Sequence, residues 1–174
     1  MFNSYKLFLC VKNIFFAIGK RLMSNFSQVR ELLLHNQQLH ARTREFYSVL
    51  AVQAQSERVK MLLNTLVKHE SELSSSLQAY VEKAPNKILN TYFQFDHEHN
   101  VEELFVTRFE SAQVNTDDVT IMATAFDDYF CHLYSEMQEA VDCELVQDLF
   151  ENLHEHMTEE KKKLSIDIYS MMDM

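Results

Sequence analysis

The chain has 174 residues, enough for one domain with a substantial core, and 47% of them are apolar. Glycine and proline occur once each, which excludes turn-rich sandwiches and doubly wound sheets and leaves long helices. A formal net charge of −10 argues against nucleic acid as a partner, because phosphate binding needs a basic surface.

The expected fold class is therefore all-α. The opening stretch, "MFNSYKLFLCVKNIFFAIGKRL" (residues 1–22), stands apart: it carries Lys6, Lys12, Lys20 and Arg21 and no acid. Asn3, Lys6, Asn13 and Lys20 fall near one line of a helical wheel, a pattern shared with basic helices that lie on membrane surfaces. Lys12 and Asn13 interrupt the apolar centre that a secretory signal or a bilayer span requires, so no transmembrane segment is expected. Met23 followed by "SNFSQVRELL" reads as a natural start, with Ser24 or Ser27 able to cap a helix. Residues 1–22 are read as a leader or upstream extension, poorly packed and without a function, and 23–174 as a single domain.

Apolar residues then recur at helical spacing in four long stretches. The first, about 27–53, aligns Val29, Leu33, Tyr47, Leu50 and Ala54 on one face. The second, about 57–83, aligns Val59, Leu63, Leu66, Leu73 and Leu77, and Ser56 precedes it as a cap. The third, about 116–141, offers Ala123, Phe130, Tyr134, Met137 and Val141. The fourth, about 144–171, offers Val146, Phe150, Leu153, Met157, Leu164 and Ile168, with Asp142 as its expected cap. Short polar turns make each pair an antiparallel hairpin. Between the pairs lies a long connection, about 84–115, holding Pro85 and a short expected helix at "VEELFVTRF". Its length lets the chain travel from one end of the molecule to the other. The expected architecture is an antiparallel four-helix bundle of two similar hairpins joined by a long crossover.

The hairpins are also related to each other. One ungapped shift superposes Tyr47 on Tyr134, Glu57 on Glu144, Val59 on Val146, His69 on His156, Glu72 on Glu159 and Leu77 on Leu164. Shared periodicity accounts for matching leucines but not for matching tyrosine, histidine and glutamates, so a duplicated hairpin is the better reading.

With "REFYSVLAVQAQSERVKMLLNTLVKHESEL" and its echo "DDYFCHLYSEMQEAVDCELVQDLFENLHEHMTEEKKKL", the chain resembles the rubrerythrin branch of the ferritin-like superfamily over about residues 27–171. Each shows a Tyr-bearing helix, a short turn and then a ligand helix. The resemblance implies a two-iron centre in which each hairpin supplies a Glu from its first helix and Glu-x-x-His from its second. Residues three apart share a helix face, so such a pair converges on one point of the core. By position the first-helix ligands fall on His40 and Asp127, and the Glu-x-x-His positions on Glu70 with Leu73 and on Met157 with Glu160. No intact Glu-x-x-His remains: Leu73 and Met157 are apolar, and His40 stands where the pattern has Glu.

The residues themselves keep two readings open. His40, Glu70, Asp127 and Glu160 each sit within an apolar stripe, where buried carboxylates are costly unless paired, hydrogen-bonded or bound to metal. Imidazole with carboxylates suits iron, manganese or zinc, and Tyr47 and Tyr134 are placed to orient such a set. Alternatively, His40 pairs with a carboxylate and the others share hydrogen bonds in a polar core layer. The repeated His69-x-x-Glu72 and His156-x-x-Glu159 are expected at helix edges, and "HEHNVEE" (97–103) and "HEHM" (154–157) lack four zinc-spaced ligands. Cys10, Cys131 and Cys143 share no metal-type spacing and suit a reducing cytoplasm.

The functional expectation is a non-catalytic bundle without a cofactor, acting through its surface as a scaffold or interaction module for a protein partner. It forms a homodimer through an interface drawn from its nine methionines and thirteen phenylalanines. The alternative is an oxidoreductase or metal-handling protein with an altered iron or manganese site at His40, Glu70, Asp127 and Glu160.

Overall fold

The computed structural model describes residues 27–95, 101–106 and 114–172; the leader reading for 1–22 lies outside the described residues. The described residues are all-α but for one two-stranded pairing. Its long helices are α1 (Val29–Gln53), α2 (Glu57–Lys83), α4 (Thr116–Ala140) and α5 (Glu144–Met172), with a single-turn α3 (Asn86–Leu89) between. These bounds lie close to the four stretches read from periodicity. Strand β1 (Ser27–Gln28) pairs antiparallel with β2 (Tyr92–Phe93), which periodicity did not foretell.

Helix starts are set locally. Ser56 caps α2 by accepting from the Val59 N–H at 3.5 Å. Asn115 and Asp118 cap α4 reciprocally, each side chain accepting from the other's backbone N–H at 3.0 Å. Two expected caps are corrected. Gln28, not Ser27, precedes α1, because Ser27 belongs to β1; Ser24 lies outside the described residues. The Cys143 carbonyl accepts the first bonds of α5, from Val146 and Gln147, so Asp142 stands one residue too early to cap.

Contacts between helices give their directions. Moving forward along α1, Gln37 meets Ser74 and His40 meets Glu70, so α1 and α2 are antiparallel. Asp128 meets Lys161 and Cys131 meets Thr158, so α4 and α5 are antiparallel too. Across the hairpins, Asn36 meets Met137 and Tyr47 meets Phe126, which sets α1 against α4 in opposite senses. It follows that α2 and α4 point the same way, and the chain between them must travel a full helix length.

That crossover is tied at both ends and in the middle. It starts beside the α1 N-terminus, where the Val29 N–H donates to the Thr91 carbonyl at 3.0 Å. The expected short helix is a 3-10 helix, Val101–Phe105. There the Arg42 guanidinium forks onto Glu102 at 2.5 and 2.6 Å and lies 3.9 Å over the Phe105 ring. Phe105 packs in turn on Phe46 and Phe126. Val114 reaches the core at the other end.

The core itself comes in two parts. One gathers Leu32 and Leu33 with Leu77, Phe130, Met137 and Phe150; the other gathers Tyr47, Leu63 and Leu66 with Val119, Phe126 and Leu164. The division falls at one level in every long helix: between Leu39 and Tyr47, Leu66 and Leu73, Phe126 and Phe130, and Met157 and Leu164.

Candidate functional site

At that dividing level sit His40, Thr43, Glu70 and Asp127, four of the buried polar residues. A buried polar group must find partners or remain neutral, so each side chain here has a specific cost to meet. His40 on α1 is fully buried, and its Nδ1 lies 2.7 Å from Glu70 Oε2 on α2. When the carboxyl group is ionised it only accepts, and the imidazole then donates through Nδ1–H. The His40 ring stacks on Phe130, with centroids 3.7 Å apart and planes 14° apart. Its other nitrogen, Nε2, is buried and has no hydrogen-bond partner among the described residues. Glu70 is 2% exposed, so this contact is a buried one.

Asp127 on α4 is 4% exposed. Burial above all, then the nearby Glu70 charge, raises its pKa from 3.8 to about 7, with Lys161 acting in the opposite direction. Among the described residues its carboxyl accepts no hydrogen bond. Tyr47 lies within reach of both charges: burial first, then Glu70 and Asp127, raises its phenol well above the usual range. Burial likewise raises Tyr134, while the Asn36 amide acts against it. Among the described residues no hydrogen bond from either tyrosine to a carboxylate is found.

Glu160 departs further from expectation. Its side chain is 21% exposed and turns to the edge, where Lys163 Nζ binds it at 2.6 Å and His69 Nδ1 lies at 3.6 Å. Lys163 chiefly holds its pKa below the usual carboxylate value. His69 is itself nearly buried; desolvation lowers its pKa, against the pull of Glu70 and Glu160, and its Nε2 lacks a partner among the described residues. Its counterparts in the repeated motifs, Glu72, His156 and Glu159, are exposed, in keeping with an edge position.

The structure therefore brings His40 and Glu70 into contact and keeps Asp127 and Tyr47 within electrostatic range. It leaves Glu160 at the periphery. Among the described residues no three His, Cys, Asp or Glu side chains form a group that could hold a metal ion. Leu73 and Met157, at two ligand positions of the ferritin-like pattern, are buried in the apolar core.

Sequence reading missed the His69–Glu160 contact and the buried Asn36. The first needs α2 and α5 to be neighbours, which periodicity within one helix does not report. The second was visible as a polar residue four before His40, on the same helix face. No family model, curated protein or solved structure matches the chain.

Proposed function

We propose that this chain is a ferritin-like four-helix bundle whose central polar layer serves structure rather than catalysis, and that it acts through its surface as a scaffold or interaction module. The observation that carries this reading is the closed His40–Glu70 contact at 2.7 Å. It pairs two buried groups with each other through His40 Nδ1 and one Glu70 oxygen. Helix directions of two antiparallel hairpins with a full-length crossover support the bundle. The buried Leu73 and Met157 support the loss of metal chemistry. Val52, Met61 and Leu145 are exposed large apolar side chains that a second copy or a protein partner would cover. No helix among the described residues is long and apolar enough to cross a membrane, and Cys131 and Cys143 are free thiols that suit a reducing cytoplasm.

A second reading has one observation in its favour. In metal sites a carboxylate commonly holds one ring nitrogen of a histidine while the other ligates. Glu70 on Nδ1 and an unpartnered, buried Nε2 give His40 that form. An altered iron or manganese site would then rest on His40, Asp127 and Glu70, with Glu160 swinging inward.

Elemental analysis of untagged protein purified without chelators separates the two. The structural reading expects iron, manganese and zinc each below about a tenth of an equivalent, and a melting temperature indifferent to chelator. A chelator-induced drop that Mn²⁺ or Fe²⁺ reverses by mass action overturns it. Light scattering over a range of concentrations tests the dimer, and a strict monomer defeats that part.

A further inference from the structure

Asp127 also lines a groove whose floor is formed by core residues. With Asp117, Thr120, Ala123, Leu164 and Ile168 it lines a groove of about 300 Å³ between α4 and α5. No lysine, arginine or histidine is among the lining residues. Lys161, whose charge reaches Asp127, is held by Asp128. The groove thus contains a nearly buried carboxyl group without a hydrogen-bond donor among the described residues, beside an apolar floor, and a second carboxylate, the exposed Asp117, along the same groove.

We propose that this groove binds a linear aliphatic amine, its ammonium on Asp127 and its methylenes along Ala123, Leu164 and Ile168, with the second ammonium of a diamine or polyamine at Asp117. An ammonium brings three N–H donors and a charge, the two things a buried carboxylate without a partner lacks. A metal ion is the poorer fit. Asp117 and Asp127 are separated by about 15 Å along the helix axis at 1.5 Å per residue, too far to share one ion. That separation suits two charges on one flexible chain. The hydroxyl groups of Thr124 and Ser165 also line the groove and offer acceptors to intermediate N–H groups. At about 300 Å³ the groove lies at the small end of ligand sites, which matches a thin chain rather than a ring system.

Calorimetric titration of the full chain with spermidine, with hexylamine as a single-ended probe and Mg²⁺ as a charge control, tests the proposal. Saturable one-to-one binding of spermidine is expected, weakened at least about tenfold in Asp127→Asn and about three- to tenfold in Asp117→Asn. Hexylamine should bind wild type and Asp117→Asn alike, since it reaches only the inner carboxylate. Because Asp117 is exposed, its variant folds whatever the fate of the other; a groove-filling Thr124→Leu supplies a further check. Absence of saturation at about 10 mM amine overturns the proposal. So does unchanged spermidine affinity in the folded variants, or displacement by Mg²⁺ at matched ionic strength that equals displacement by hexylamine.

Discussion

In the first hairpin the buried carboxylate has a partner; at the matching level of the second it has none among the described residues. The shift that superposes the hairpins puts His40 on Asp127, Glu70 on Met157 and Leu73 on Glu160. Where α2 answers His40 with Glu70, α5 offers Asp127 a buried thioether. The acid of α5 comes three residues later, and from there it reaches Lys163 and the helix edge. Two hairpins with one pattern of core leucines thus solve opposite problems. The first answers its carboxyl group with an imidazole. In the second, burial and then the nearby Glu70 raise the Asp127 pKa to about 7, so its charge is lost as pH falls through neutrality.

The largest test of this contrast removes one member of the paired half. Glu70→Ala leaves His40 buried and alone, and should cost about 3–5 kcal/mol in urea denaturation, the usual penalty for breaking a buried pair. Replacing both, His40→Leu with Glu70→Leu, should recover most of that loss. A double variant no more stable than the single one would mean that the contact contributes little and the packing everything.

Asp127→Asn should act with the opposite sign. Asp127 holds its proton more tightly in the folded state than its ordinary value of 3.8 allows, so the native state binds more protons between pH 4 and pH 7. Stability from this group is full below that window and is lost as pH rises through it. The variant should therefore exceed wild type by roughly 1–3 kcal/mol at pH 8 and match it near pH 4, allowing for the relaxation of the neighbouring charges. Melting temperatures across that range measure the difference. If Asp127→Asn is as damaging as Glu70→Ala, Asp127 has a partner after all and the contrast between hairpins fails.

The crossover gives a test of intermediate geometry. Arg42→Ala removes both the fork onto Glu102 and the cover over Phe105, and should cost about 1 kcal/mol, more than a simple surface pair. Glu160→Gln is the smallest change. With its partner Lys163 largely in solvent, a loss of under about 0.5 kcal/mol is expected.

Much of this contrast was legible in the sequence. Four long helices followed from two chain breakers in 174 residues and from leucines at helical spacing. The burial of His40, Glu70 and Asp127 followed from their place within apolar stripes. Glu160 shared that logic and broke it, because a long side chain at the margin of a stripe bends toward water and a nearby lysine. The pairing of Ser27–Gln28 with Tyr92–Phe93 was illegible, since two residues carry no periodicity and the partners are far apart in the chain. So was the partnerless state of Asp127, which depends on which helix lies opposite, and so on tertiary structure.

The polar level that divides the core also acts as an alignment key. Leucines accept many neighbours, and two apolar helix faces can slide by a turn at modest expense. His40 and Glu70 cannot. A slip of one turn between α1 and α2 would set His40 against Leu66 or Ser74 and Glu70 against Asn36 or Arg44, so the buried contact is lost in either direction. A single interior pair of this kind fixes oligomeric pairing and helix stagger in coiled coils. Here it distinguishes the native stagger of the first hairpin from its nearest misaligned neighbours, and it does so at the midpoint of both helices, where the error would otherwise be hardest to detect from either end.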